Sequence, residues 1–175
     1  MYIGKIYSGY AFEEMVLGRS SFGCFKSNNI GGCKYLSFKE AIKMAKNIQS
    51  KLGWNSKKPP TRIAQYLYSN IVFMFKNRKR NLKFFSSVGT PLDLYHGVDC
   101  FFCLKDKKRD NIVTIDLTIN HRKIKSKADI ILSPNDIRDD GQCQKMLKNI
   151  TSRLLYTNKE KKHKIYHFYH KNRNG

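Results

Sequence analysis

Two carboxylates, Asp99 and Asp116, carry the clearest chemical signal in the chain. Asp116 lies in IVTIDLTI, residues 112–119, where Val113, Ile115, Leu117 and Ile119 alternate with Thr114, Asp116 and Thr118. Period-two alternation places the aliphatic set on one face of a strand and the polar set on the other. Asp116 is therefore expected to project from the face opposite the core-like aliphatics. Asp99 stands near the start of the preceding strand-like run, VDCFFCL at residues 98–104. The polar stretch KDKKRDN reads as the turn between the two runs, and pairing them would bring both carboxylates within reach of one metal ion. Hard cations such as Mg²⁺ or Mn²⁺ are held by one or two carboxylates plus water and phosphate. Such an ion activates water and stabilises charge on a phosphodiester.

The elements that must position these residues can be read from periodicity. A short helix is predicted over 10–17 and a better one over 37–52, where Ser37 and Glu40 make a capping-box pattern. Its Ala41, Met44, Ala45 and Ile48 keep helical spacing. A loop ending in two prolines leads to Thr61, which can cap a long helix to about residue 79, with Ile63, Leu67, Ile71 and Phe75 on one face. Strands are predicted over 82–86, 98–104, 112–119 and 128–132. The last is followed by the breaker Ser-Pro-Asn-Asp and then a helix over 141–156. Helices, then strands, then helix imply an α/β (α+β) fold, a mixed central sheet flanked by helices. Residues 1–60 read as an N-terminal helical extension, 61–156 as the core and 157–175 as a basic, aromatic tail.

Charge indicates the partner. Thirty-four Lys and Arg face thirteen Asp and Glu, a formal net charge of +21. AT-rich coding, of the kind that suits a phage or mobile element, would raise Lys but would not remove acids. Such an excess costs self-repulsion in a compact domain, which points to a polyanion, and DNA is the expected one. No acid occurs between Glu40 and Asp93, an interval with eleven Lys and Arg, whereas nine of the thirteen acids fall within 93–140. Where carboxylates are this scarce, a segment that concentrates them invites a chemical reason. No apolar run approaches the ~18 residues of a membrane span. The N-terminus lacks a secretion-type apolar run, and five cysteines follow no disulfide framework. A reducing, cytoplasmic location with no membrane contact is expected.

The stretch SSVGTPLDLYHGVDCFFCLKDKKRDNIVTIDLTINHRK resembles the core of the PD-(D/E)xK nuclease superfamily, to which archaeal Holliday-junction resolvases and many restriction and phage nucleases belong. That pattern sets an Asp at the start of one strand and a carboxylate-x-Lys on the next. Asp99 in GVD takes the first place and Asp116 in IDLT the second. The resemblance covers about residues 61–155. It implies an αβββαβ core, Mg²⁺-dependent (or Mn²⁺-dependent) hydrolysis of DNA, and Asp99 and Asp116 as metal ligands. The third place holds Thr118 rather than Lys, and a hydroxyl cannot replace an ammonium that positions water. Lys123 and Lys125, just past the strand, are the candidates to supply it. If neither does, a non-catalytic DNA-binding scaffold remains. A further carboxylate from an upstream helix would come from Glu13 or Glu14, with Glu14 the metal-ligand candidate, although a solvated helix face also accounts for both. Asp93 is either an outer ligand or a turn residue. Lys76, Arg78, Lys79, Arg80 and Lys83, with Arg122, Lys123, Lys125 and Lys127, would hold the DNA backbone. Nucleases of this type often cut as dimers, so a homodimer is one assembly the resemblance allows.

Other motifs carry less. Cys100 and Cys103 form a CxxC, but on a strand an offset of three points them to opposite faces, as expected of core thiols. No second pair follows at zinc-site spacing. His163, His167 and His170 share a helical face in the basic tail and read as phosphate-facing. His96 reads as a loop histidine near the site. Gly31-Gly32 is too little for a phosphate loop. The cadence of TRIAQYL suggests a helix-turn-helix regulator, the alternative from another functional class, but no turn glycine follows it. A structural RNA-binding protein has no RRM or KH signature behind it.

Overall fold

Hydroxyl caps start the first three helices. In the computed structural model, which describes residues 8–18, 34–75, 81–105, 110–120, 123 and 125–155, α1 (Gly9–Leu17) begins where Ser8 Oγ accepts the Ala11 N–H at 3.1 Å. α2 (Phe38–Lys51) begins at Ser37, whose N–H and hydroxyl both bond the Glu40 carboxylate, at 3.1 and 2.5 Å. α3 (Arg62–Met74) begins at Thr61, whose Oγ1 accepts the Ala64 N–H at 3.0 Å. Each cap satisfies an amide that the helix itself leaves unpaired. Thr61 also donates its hydroxyl proton to the Val16 carbonyl, tying the start of α3 to the end of α1. There the chain leaves α1 through Gly18 at φ 81°, a left-handed conformation that a side chain would strain, and an added Cβ would sit 3.3 Å from Thr61 Cγ2.

Among the described residues four strands form one sheet, in the order β1 (Asn81–Ser86), β2 (Cys100–Lys105), β3 (Asp110–Leu117), β4 (Ile130–Leu132). The first three make an antiparallel meander and β4 pairs parallel to β3, with Cys100 opposite Ile115 and Asp116 opposite Ile131. Alternation distributes the apolar side chains between two layers. Phe84, Phe102, Val113 and Ile115 pack with Phe12, Val16, Ile63, Leu67, Leu147 and Leu154, so that α1, α3 and α6 (Asp140–Leu155) cover one face. Phe85, Phe101 and Cys103 pack with Ala41, Ile42, Ala45 and Leu92, so that α2 and α4 (Pro91–His96) cover the other. Aromatic rings meet across β1 and β2 on both faces, Phe84 with Phe102 at 4.6 Å and Phe85 with Phe101 at 5.2 Å between centroids. Cys100 and Cys103 are buried in opposite layers, as strand alternation requires.

The fold is mixed α/β, and it departs from the expected αβββαβ order at identifiable places. No helix is present between β3 and β4 among the described residues, and α4 lies instead between β1 and β2. The described helices of 1–60 are part of the three-layer core, since α1 and α2 contribute buried residues to its two sides. Strand β4 is shorter than predicted because Asp129 is diverted sideways. Its carboxylate accepts both the N–H and the hydroxyl of Thr114, each at 3.0 Å, and its own N–H donates to Thr114 Oγ1 at 2.9 Å. The Ser-Pro-Asn-Asp stretch starts a short helix, α5 (Pro134–Arg138), where the Ser133 N–H and hydroxyl bond Asp136 at 2.8 and 2.6 Å. The helix predicted to 79 ends at Met74, with Phe75 as its C-cap; residues 76–80, much of the 105–111 turn, Gly31-Gly32, Cys24, Cys33 and the basic tail with its histidines lie outside the described residues.

Candidate active site

The β1–β2 connection holds Asp99 in place through bonds to the backbone on both sides. Ser87 donates its hydroxyl to the Val98 carbonyl at 2.6 Å and its N–H to the Asp99 carbonyl at 2.8 Å, while the Asp99 N–H reaches the Ile115 carbonyl at 2.9 Å. Pinned between β1 and β3, the Asp99 side chain is 7% exposed, and its Oδ2 accepts the Leu117 N–H at 2.5 Å. Asp116 projects from β3 with only 4% exposure. One of its oxygens, Oδ2, receives Lys123 Nζ at 2.6 Å and Ser126 Oγ at 2.7 Å.

Two more carboxylates join them. Thr90 accepts the Leu92 N–H and caps α4, Pro91 fills its first position, and Asp93 turns back to accept the Gly89 N–H at 2.9 Å. Glu13 approaches from α1. Burial pushes the Asp99 carboxyl up to about 8; the Leu117 N–H opposes this, and the charges of Asp93, Glu13 and Asp116 add to it. Burial, then Asp93 and Asp116, push Glu13 up to about 7. Asp93 is raised chiefly by burial, against the Gly89 N–H, with Asp116 adding to the rise and a hydrogen bond from Asp99 opposing it. Four acids thus crowd one place, where the Lys123 ammonium pairs with Asp116, and burial and mutual repulsion favour the protonated forms of Asp99, Glu13 and Asp93.

The other residues expected at the site are scattered around it. Thr118 does not face the cluster chemically: its hydroxyl accepts the Asn120 N–H at 3.1 Å and its N–H bonds the Leu132 carbonyl, closing the end of β3. The Asn120 carbonyl then accepts the Lys123 N–H at 3.0 Å, a turn that brings the Lys123 side chain back onto Asp116. Lys125 and Lys127 are exposed, and Lys127 Nζ donates to the Tyr95 carbonyl at 3.2 Å. Lys83 is half-buried on β1. Of the two candidate glutamates, both half-buried on α1, the charge of Glu13 reaches the cluster. His96 is buried at the end of α4 rather than on a loop, and its Nε2–H donates to the Leu36 carbonyl at 2.9 Å. Lys76, Arg78, Lys79, Arg80 and Arg122 lie outside the described residues. Sequence reasoning missed Ser126 altogether; the residue is an ordinary serine in a polar run, and only the fold places it on Asp116.

The chain matches no protein-family model, no curated protein and no solved structure. What the site can do is therefore decided by its own donors. They are oxygens on crowded acids, a set that suits a small hard cation better than a soft one. Among the described residues no three His, Cys, Asp or Glu side chains are arranged to hold a metal ion by themselves. Magnesium ordinarily takes one or two carboxylates and completes its shell with water and phosphate, an arrangement open to Asp99 and Asp116 with a substrate present.

Proposed function

We propose that this chain is a metal-dependent DNA endonuclease that hydrolyses phosphodiester bonds at the Asp99–Asp116 cluster. The observation that carries the reading is the pair of buried carboxylates, Asp99 immediately before β2 and Asp116 on the adjacent β3, with an ammonium, Lys123 Nζ, 2.6 Å from one of them. Asp99 and Asp116 would hold Mg²⁺ or Mn²⁺, with Glu13 and Asp93 raising the negative field around them. When bound, the cation supplies charge stabilisation at the phosphate and a more acidic water. Lys123 takes the part that the PD-(D/E)xK pattern gives to the lysine two positions after the second carboxylate. Anchored on Asp116, its ammonium positions the water and offsets charge on the phosphate oxygens. Ser126 fixes the Asp116 carboxylate for both tasks. The exposed Lys125 and Lys127, with the net charge of +21, draw in the DNA backbone.

The antiparallel meander followed by a parallel β4 supports a PD-(D/E)xK-like core. With no helix between β3 and β4 among the described residues, this would be a divergent version. No described helix is long and apolar enough to cross a membrane, and a cytoplasmic protein cutting DNA, as a monomer or homodimer, fits the reading. The helix-turn-helix alternative gains nothing from α3, which runs unbroken from Arg62 to Met74 and buries Ile63, Leu67 and Ile71 in the core.

Cleavage of supercoiled, linear and branched DNA with Mg²⁺ or Mn²⁺, compared between the wild-type protein and Asp116→Ala, tests the proposal. Metal-dependent cutting lost in the variant is the expected result. DNA binding by both proteins with cutting by neither would replace the endonuclease with a non-catalytic DNA-binding protein.

A further inference from the structure

Helix α4 joins the carboxylate cluster to a surface that hydrolysis does not use. Asp93, in its first turn, belongs to the cluster. Two residues on, Tyr95 meets the ring of Tyr35 edge to face, with centroids 5.6 Å apart at 74°. Beneath them His96 is buried, its ring 5.7 Å from Tyr35 and 5.5 Å from Phe38. Its bond to the Leu36 carbonyl fixes the backbone beside Tyr35. Tyr35 is nonetheless 63% exposed and Phe38 44% exposed. Rings buttressed from below and open above are a surface prepared for something flat.

Lys127 links this surface to the reacting centre. Its Nζ donates to the Tyr95 carbonyl at 3.2 Å, and the preceding residue, Ser126, bonds Asp116 at 2.7 Å. Consecutive Cα atoms are about 3.8 Å apart, so rings and carboxylates fall within a short stretch of one DNA strand. A cation lies between them, on a chain whose excess of positive charge already favours phosphates. Aromatic rings interleaved with lysines are how sequence-tolerant sites take unpaired nucleotides, since every base has a π-face and every link a phosphate. In an intact duplex those faces are stacked and closed to a side chain.

We propose that Tyr35, with Phe38 and Tyr95, is a stacking platform for unpaired bases, so that the substrate is DNA with a single-stranded segment beside the scissile link rather than continuous duplex. The cleavage step rests on the endonuclease reading, but the platform itself is tested without cutting. In EDTA, the full chain and its Tyr35→Ala, Tyr35→Leu and Tyr35→Phe variants are titrated into fluorescein-labelled oligothymidylate and into a blunt duplex with the same number of phosphates. Circular dichroism melts accompany the titrations. Tyr35→Ala and Tyr35→Leu, which both lack a π-face, are expected to weaken oligothymidylate binding roughly tenfold. Tyr35→Phe keeps wild-type affinity, and duplex binding stays within about twofold throughout. Equal losses on both DNAs, no loss on either, or a wild-type preference for the blunt duplex would overturn the platform. The same proteins are then given Mg²⁺ and a forked DNA. Cutting by wild type without single-strand discrimination removes the platform and keeps the endonuclease. Discrimination without cutting by wild type keeps the binding surface and removes the endonuclease.

Discussion

At Asp116 one ammonium and one hydroxyl share a single carboxylate oxygen, and the chemistry open to the site depends on which residues supply them. Lys123 reaches that oxygen through the Asn120 turn, whereas Lys125, two residues on, is exposed. Lys123→Ala is therefore expected to lower the DNA-cleavage rate by about a hundredfold or more, and Lys125→Ala to change mainly DNA affinity; single-turnover assays at saturating protein separate the two. Equal rates for both variants would remove the lysine from the chemistry. Asp99 leads to a second prediction. Its carboxyl is raised from 3.8 to about 8 and Glu13 from 4.5 to about 7, so between those limits the folded chain binds more protons than the unfolded one. The resulting stability is complete below about pH 4 and is lost as pH rises through about 7 and 8. Asp99→Asn keeps the shape of the protonated acid and loses the titration. In metal-free buffer at pH 8 it should melt about 3 °C or more above wild type, with the gap shrinking toward pH 4; a variant melting lower at pH 8 would mean that Asp99 is held as a carboxylate by partners. Asp99 and Asp116 were legible in sequence because strand alternation and a short turn suffice to pair them. The choice between Glu13 and Glu14, and the part of Ser126, were not, because they depend on which way α1 and the segment before β4 cross the sheet, and no local pattern encodes that.

Elements were legible where a cap and a period coincided. Ser37 with Glu40, and Thr61 before an unbroken apolar face, announced α2 and α3, and the caps stand where expected. Helix α4 is not apparent from sequence because six residues are too few for a helical period, although Thr90, Pro91 and Gly97 at φ 61° are all proper terminus residues. The αβββαβ order that the family resemblance implies is not matched between β3 and β4, where the 118–129 stretch is polar and lysine-rich and no helix is present among the described residues. Thr61 does more than cap, because its hydroxyl also donates to the Val16 carbonyl and so joins α1 to α3. Thr61→Ala should cost about 1–2 kcal/mol in urea unfolding. Since α1 carries Glu13, the same variant should also shift the pH dependence of cleavage. A loss within the usual scatter of surface substitutions, about 0.5 kcal/mol, would mean that α1 is held by its buried face alone, through Phe12, Val16 and Leu17.

On the scale of the whole molecule, charge is the property most plainly written in the sequence and least constrained by the fold. Apolar alternation must satisfy one sheet, but thirty-four basic residues satisfy only the requirement of being near solvent. Their number suits the polyanionic partner of the proposed function, while their arrangement along it cannot be read from spacing. The carboxylate cluster sharpens the point, because a site rich in acids repels DNA phosphates unless the surrounding field outweighs it. Here Lys123 sits on the cluster, Lys127 beside it and Lys125 between them in sequence, so local repulsion is offset within a few residues. Binding should accordingly depend on counterion release. Raising monovalent salt from about 50 to about 200 mM should weaken duplex affinity by at least about tenfold, measured by anisotropy in EDTA. Lys125→Ala and Lys127→Ala should each lower the slope of log affinity against log salt by about one. Asp116→Asn should leave that slope alone while raising affinity at every salt concentration, since it removes a negative charge without touching a phosphate contact. An affinity that barely moved with salt would break the link between the net charge and the partner, and with it the assignment of the exposed lysines to a DNA backbone.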